Sequence, residues 1–186
     1  VTEWGRRTYG DPCRECGYSW AITEAGAVDL VRVVPDRYAE LLDGSAGTVH
    51  GAGLAWSATA YVCHVADNLR IWAERLAGAS AAVAAPRAPG AAGPPGAPNV
   101  VAAYDENRLA EARAYEAVPI AGALWSLRRA VGDWLDAVTL ATAQRTVLVH
   151  PERGEMTVGD VARSNAHDAY HHAWDVERIV HDAGPL

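Results

Sequence analysis

A chain of 186 residues fits one domain, and an apolar half that includes seven Trp and no Phe is enough for a sizeable core. Sixteen Lys and Arg against 23 Asp and Glu give a formal charge of −7, which argues against a phosphate-tracking nucleic-acid binder but leaves room for a small local basic pocket. No apolar run reaches the roughly 18 to 20 residues of a membrane span, and the polar start with Arg6, Arg7 and Arg14 does not read as a signal peptide. An odd count of three Cys does not suggest a secreted disulfide framework, so the expected location is the cytoplasm.

Residues 1–22 read as an irregular segment punctuated by Gly5, Gly10, Pro12 and Gly17. Thr23 is a suitable N-cap for a first long helix, whose apolar positions Val28, Val31, Tyr38, Leu41 and Leu42 recur up to Asp43 and Gly44. Pro35 is expected to kink or split it. After a loop, a second helix is expected over about 54–79, with Leu54, Ala58, Tyr61, Val65, Asn68, Ile71, Trp72 and Leu76 on one broad face. Residues 80–99 are Ala/Pro/Gly-rich and read as a loop within a single domain spanning 1–186, because neither flank alone holds enough helices to close a bundle.

A short charged helix is expected over 105–116, and Pro119 suits the first turn of a third long helix reaching about Ala143. The run T146-V-L-V-H-P-E-R-G-E-M-T157 predicts a small hairpin turning near Pro151 and Gly154. Thr157 and Asp160 match the capping-box signature and open a last helix that runs to about Ala183, before Gly184 and Pro185. Four long amphipathic segments joined by loops define an all-α class, a four-helix bundle with a small β-hairpin before the last helix.

Seven His are present, and three fit one site. His167 and His171 are four apart and share a helix face, a spacing at which two imidazoles can hold one ion. His64 lies in mid-helix, with Tyr61, Asn68 and Ile71 at three- and four-residue spacing. His172 is the register alternative to His171, while His50, His150 and His181 read as surface residues. Asp67 and Asp175 are candidates for orienting the imidazoles, or are exposed helix charges. Cys13 and Cys16 form C-x-x-C; packing or loop fixing is the first reading, a reversible disulfide the second and a second zinc the third, since it would need two more ligands, such as Cys63 and a spare His, and Cys63 adjoins His64 and should point about 100° away from it around the helix. Arg70, Arg75, Arg128, Arg129 and Arg178 read as mostly solvated, one or two being able to bind a substrate carboxylate. Trp56, Trp72, Trp125, Trp134 and Trp174 read as core fillers.

With mid-helix His64 and Asp67, the closing pattern H167-D-A-Y-H171-H-A-W-D and the preceding H150-P-E-R-G-E-M-T, residues 20–183 resemble the DinB-like and YfiT-like metal-binding bundles. These are relatives of bacterial-thiol-dependent transferases and of mycothiol-dependent maleylpyruvate isomerase. The resemblance implies an up-down bundle with a crossover and a zinc (or nickel) ion on His64, His167 and His171. It further implies a thiol co-substrate, mycothiol or another low-molecular-weight thiol, and a small electrophilic substrate. The expected activity is a metal-dependent S-transferase or isomerase working through a metal-bound thiolate. Hydrolysis by metal-bound water, with Asp67 or His172 as base, and metal binding without catalysis are the alternatives. Catalytic candidates are therefore Asp67, His172 and Asp175, and a homodimer is expected.

Overall fold

The computed structural model describes residues 3–44, 47–84 and 99–183. Its core is a bundle of four long helices, α2 (Glu24–Leu41), α3 (Ala58–Ala84), α5 (Ile120–Ala143) and α6 (Val158–Ala183). Two short helices, α1 (Glu3–Tyr9) and α4 (Glu106–Ala112), and the strands β1 (Asn99–Val100), β2 (Val147–His150) and β3 (Gly154–Thr157) complete the described elements, with a 3-10 turn at Tyr115–Ala117. Around the bundle the neighbours run α2, α6, α3, α5, so α2 and α3 are diagonal, as are α5 and α6. The chain therefore crosses the bundle twice, and α3 and α6 meet along an inner seam.

Local chemistry sets most boundaries. Thr23 Oγ1 accepts the Gly26 N–H at 3.0 Å and caps α2. Pro35 costs the helix one hydrogen bond but does not split it, because Val31, Val34 and Tyr38 on either side are buried in the bundle. α3 begins four residues later than the apolar pattern suggests, since Ser57 Oγ accepts the Ala60 N–H at 3.2 Å. It also runs on to Ala84, so the Ala/Pro/Gly-rich loop expected from residue 80 starts inside a helix; residues 85–98 lie outside the described residues. Pro119 is the N-cap of α5, one residue ahead of its first turn. Thr157 and Asp160 form the expected reciprocal box: Asp160 N–H donates to Thr157 Oγ1 at 3.2 Å and Thr157 N–H to Asp160 Oδ2 at 3.0 Å. The hairpin forms in the register Val147 with Thr157 and His150 with Gly154, the latter residue turning at φ 72°. β1, not anticipated, pairs parallel to β2 and makes the sheet three-stranded.

The N-terminal segment, expected to be irregular, contains α1. Its Gly5 is a packing requirement: a Cβ there would lie 2.4 Å from the Trp20 ring, which is 1% exposed. Trp72 and Trp134 fill the core as expected, whereas Trp125 is 66% exposed. None of the described helices is long and apolar enough to cross a membrane.

Candidate metal centre

α6 carries two interleaved pairs at helical spacing, His167 with His171 and Asp168 with His172. Offset by one residue, they face directions about 100° apart. The structure uses both directions. His64, reaching in from α3, groups with Asp168 and His172, while His167 and His171 group with Cys13 and Cys16. In each group the donor atoms lie within 4.8 Å of one another. Among the described residues no such group holds His64, His167 and His171 together. The rotation of α6 divides that expected triad, turning Asp168 and His172 toward α3.

His64 is 2% exposed, and its Nε2 is buried with no hydrogen-bond partner, 3.6 Å from Asp168 Oδ1. His172 Nε2 lies 3.8 Å from the same oxygen, and the His64 and His172 rings stand perpendicular with centroids 4.8 Å apart. His172 Nδ1 meets Asp175 Oδ2 at 3.0 Å. A carboxylate only accepts, so Nδ1 carries the proton and Nε2 is the ring atom left to hold an ion. Asp175 thus orients His172, the register alternative, more closely than His171, whose Nε2 is 3.8 Å away. His171, His172 and Asp175 also form a three-member group. Asp168 is held in turn by Asn68, whose Nδ2 donates at 2.7 Å to Asp168 Oδ2 and whose Oδ1 accepts from Tyr104 Oη at 3.1 Å. Trp56 packs on His64 and Tyr61 stacks on His172.

The electrostatics follow from this packing. Burial opposes a charged His64, yet the carboxylates of Asp168, Glu106 and Asp67 outweigh it and hold the imidazole above its ordinary value. Burial would raise Asp168, but His64, His172 and Asn68 hold it well below the usual carboxylate range. His167 is pushed down to about 4, by burial first and then by His171. His171 is lowered by burial and by His172.

Other expected residues fall elsewhere. Asp67 is buried, but it is engaged by Arg70, by Arg113 at 2.9 Å and by Tyr115 Oη at 2.7 Å. It is in none of the described ligand groups and fastens the 106–117 segment to α3. His50 and His181 are exposed ion-pairing residues, as expected. His150, expected at the surface, is 5% exposed and borders a cavity. That cavity, about 120 Å³, reaches Asp168 and is also lined by Tyr9, Arg75, Tyr104, Glu106 and Arg153. Arg75, expected on a solvated face, lies over the Trp72 ring at 4.6 Å, and Arg153 Nε is buried with no hydrogen-bond partner. Sequence reasoning missed Asp168, although D168-x-x-x-H172 has the same spacing as the pair that drew attention.

A four-helix bundle with two diagonal crossings, and a histidine–carboxylate cluster on the seam between α3 and α6, defines the class. The chain belongs to the DinB superfamily, whose family model matches residues 27–176. Among solved structures it is similar to YfiT from Bacillus subtilis, described as a probable metal-dependent hydrolase with an unusual four-helix bundle topology. The identity is 17%, the TM-score 0.68, and the match covers 88% of this chain and 89% of that one. No curated protein matches the sequence.

Proposed function

We propose that the chain is a divalent-metal-dependent enzyme whose ion is held by His64, Asp168 and His172. The observation that carries this reading is the buried His64 Nε2, which makes no hydrogen bond and lies within 4.8 Å of donor atoms of Asp168 and His172. Two imidazoles and one carboxylate suit zinc, the expected ion, or nickel, and leave coordination positions open. When bound, such an ion lowers the pKa of a coordinated thiol or water. The residues supply the rest. Asp175 fixes His172, Asn68 and Tyr104 fix Asp168, and Trp56 and Tyr61 screen the imidazoles from water. Arg75 and Arg153 give the adjoining cavity two cations, which suit a small electrophile bearing a carboxylate.

The favoured reaction is transfer of a small thiol of the mycothiol type to that electrophile, or its thiol-assisted isomerisation. Hydrolysis is the second reading, favoured by the description of YfiT. Zinc-loaded protein, incubated with an unsaturated carboxylate, should convert it only when a low-molecular-weight thiol is present, consuming the thiol if it is transferred and regenerating it if the substrate is isomerised. Turnover of an ester at the same rate with and without thiol would favour hydrolysis. A further expectation concerns Asn68, which touches the proposed ion only through Asp168. Asn68→Ala should weaken zinc roughly 10- to 100-fold at this centre, as loss of such outer partners does, measured by titration against a competing chelator.

A further inference from the structure

Cys13, Cys16, His167 and His171 bring four donor atoms within 4.8 Å of one another. The two Cys stand in a tight turn behind α1. Cys13 N–H donates to Tyr18 O at 2.8 Å, Gly17 N–H to Cys13 O at 3.0 Å, and Arg14 N–H to Tyr9 O at 2.9 Å. Gly17, at φ 76°, lets the chain reverse directly after Cys16. The knuckle lies against the α6 face that carries His167 and His171.

We propose that these four residues bind a second ion, a structural zinc. Four protein donors complete a tetrahedral shell and leave no open position, which separates this centre from the three-donor cluster beside it. Two thiolates and two neutral imidazoles cancel the charge of the ion, so the buried site carries no net charge. His167 Nε2 and His171 Nδ1 are both buried without a hydrogen-bond partner, a cost that an ion removes. His171 Nε2 lies 3.4 Å from Glu15 and 3.8 Å from Asp175, carboxylates placed to orient the ring and leave Nδ1 as the donor. Tyr9, Tyr18 and Trp20 enclose His167, with ring centroids 4.5, 5.3 and 4.7 Å away. His171 also belongs to the group with His172 and Asp175. There it would be one of three ligands, and His172 and Asp175 are already engaged with each other.

The ion fastens the N-terminal segment to α6. Trp4, Tyr9, Trp20 and His167 all line the polar cavity beside Asp168, so this zinc holds one wall of the proposed substrate site. The inference does not depend on what the His64 centre does, because its test counts sulfur ligands.

The protein, kept reduced and loaded with cobalt, should bind one sulfur-ligated equivalent, whatever the His64 centre holds. It should show sulfur-to-cobalt charge transfer in the near ultraviolet and the strong visible bands of tetrahedral cobalt. Both features should vanish, with loss of one equivalent, in Cys13→Ser and Cys16→Ser, and persist in His172→Ala. X-ray absorption on the zinc-loaded Cys-intact His172→Ala protein should count two sulfur and two nitrogen ligands, a result that needs no Cys variant to fold. A wild-type protein without sulfur-to-cobalt absorption, a shell of nitrogen and oxygen alone, or a Cys13–Cys16 disulfide that persists under reductant and excludes the metal would overturn the proposal.

Discussion

His172→Ala and His64→Ala should each lose the ion of the His64 centre on dialysis, while His171→Ala keeps it. Each of the first two substitutions removes one of three protein donors. The affinity loss should exceed the roughly 10- to 100-fold that removal of an outer partner costs. His171 does not belong to the group formed by His64, Asp168 and His172, so its loss should instead release the sulfur-bound ion. Metal content by mass spectrometry, with cobalt spectra to tell the centres apart, reads both effects, and His181→Ala, exposed at the end of α6, is the control. Loss of the His64-centre ion in His171→Ala, with retention in His172→Ala, would show that the other face of α6 holds it.

Trp134→Ala should produce the largest loss of stability among the core changes. Trp134 is fully buried on α5, and its Nε1–H donates at 2.9 Å to Asn165 Oδ1 on α6, across the bundle diagonal. Truncation of a buried Trp costs about 3 to 5 kcal/mol, and an orphaned Asn165 acceptor adds about 1 to 3 kcal/mol. For a domain of this size each kcal/mol lowers Tm by roughly 2 to 4 °C, so a fall of roughly 8 to 32 °C is expected by calorimetry. Trp125→Ala, at a 66% exposed position, should stay within about 0.5 kcal/mol of wild type. Equal losses in the two variants would contradict this account of the core.

The helices were legible because their signals are local. Thr23, the Thr157–Asp160 box and the apolar spacing of Leu127, Val131, Trp134 and Val138 act within a turn or two of the residues they organise. What escaped depends on distant partners. Gly5 reads as a helix breaker until Trp20 is seen to occupy the space of its side chain. β1 has only two residues, and its partner is β2, nearly fifty positions on. The candidate site shows the same division. His64 and the closing His cluster stand out in the sequence, but H167-D168 and H171-H172 offer two equally good pairs. Only the rotation of α6 against α3 selects between them, and the apolar residues Val158, Val161, Ala169, Val176 and Ile179 do not fix that angle alone. Nothing in the sequence near Cys13 and Cys16 says which His could join them, and the structure brings them His167 and His171, about 150 positions away.

One ion is expected among His64, Asp168 and His172. Anomalous diffraction at the zinc absorption edge, from crystals of the zinc-loaded full chain, tests it most directly. The expected result is a peak within coordination distance of His64 Nε2, His172 Nε2 and an Asp168 carboxylate oxygen. A peak coordinated by His64 together with His167 and His171, or no peak beside His64 in fully loaded protein, would contradict it.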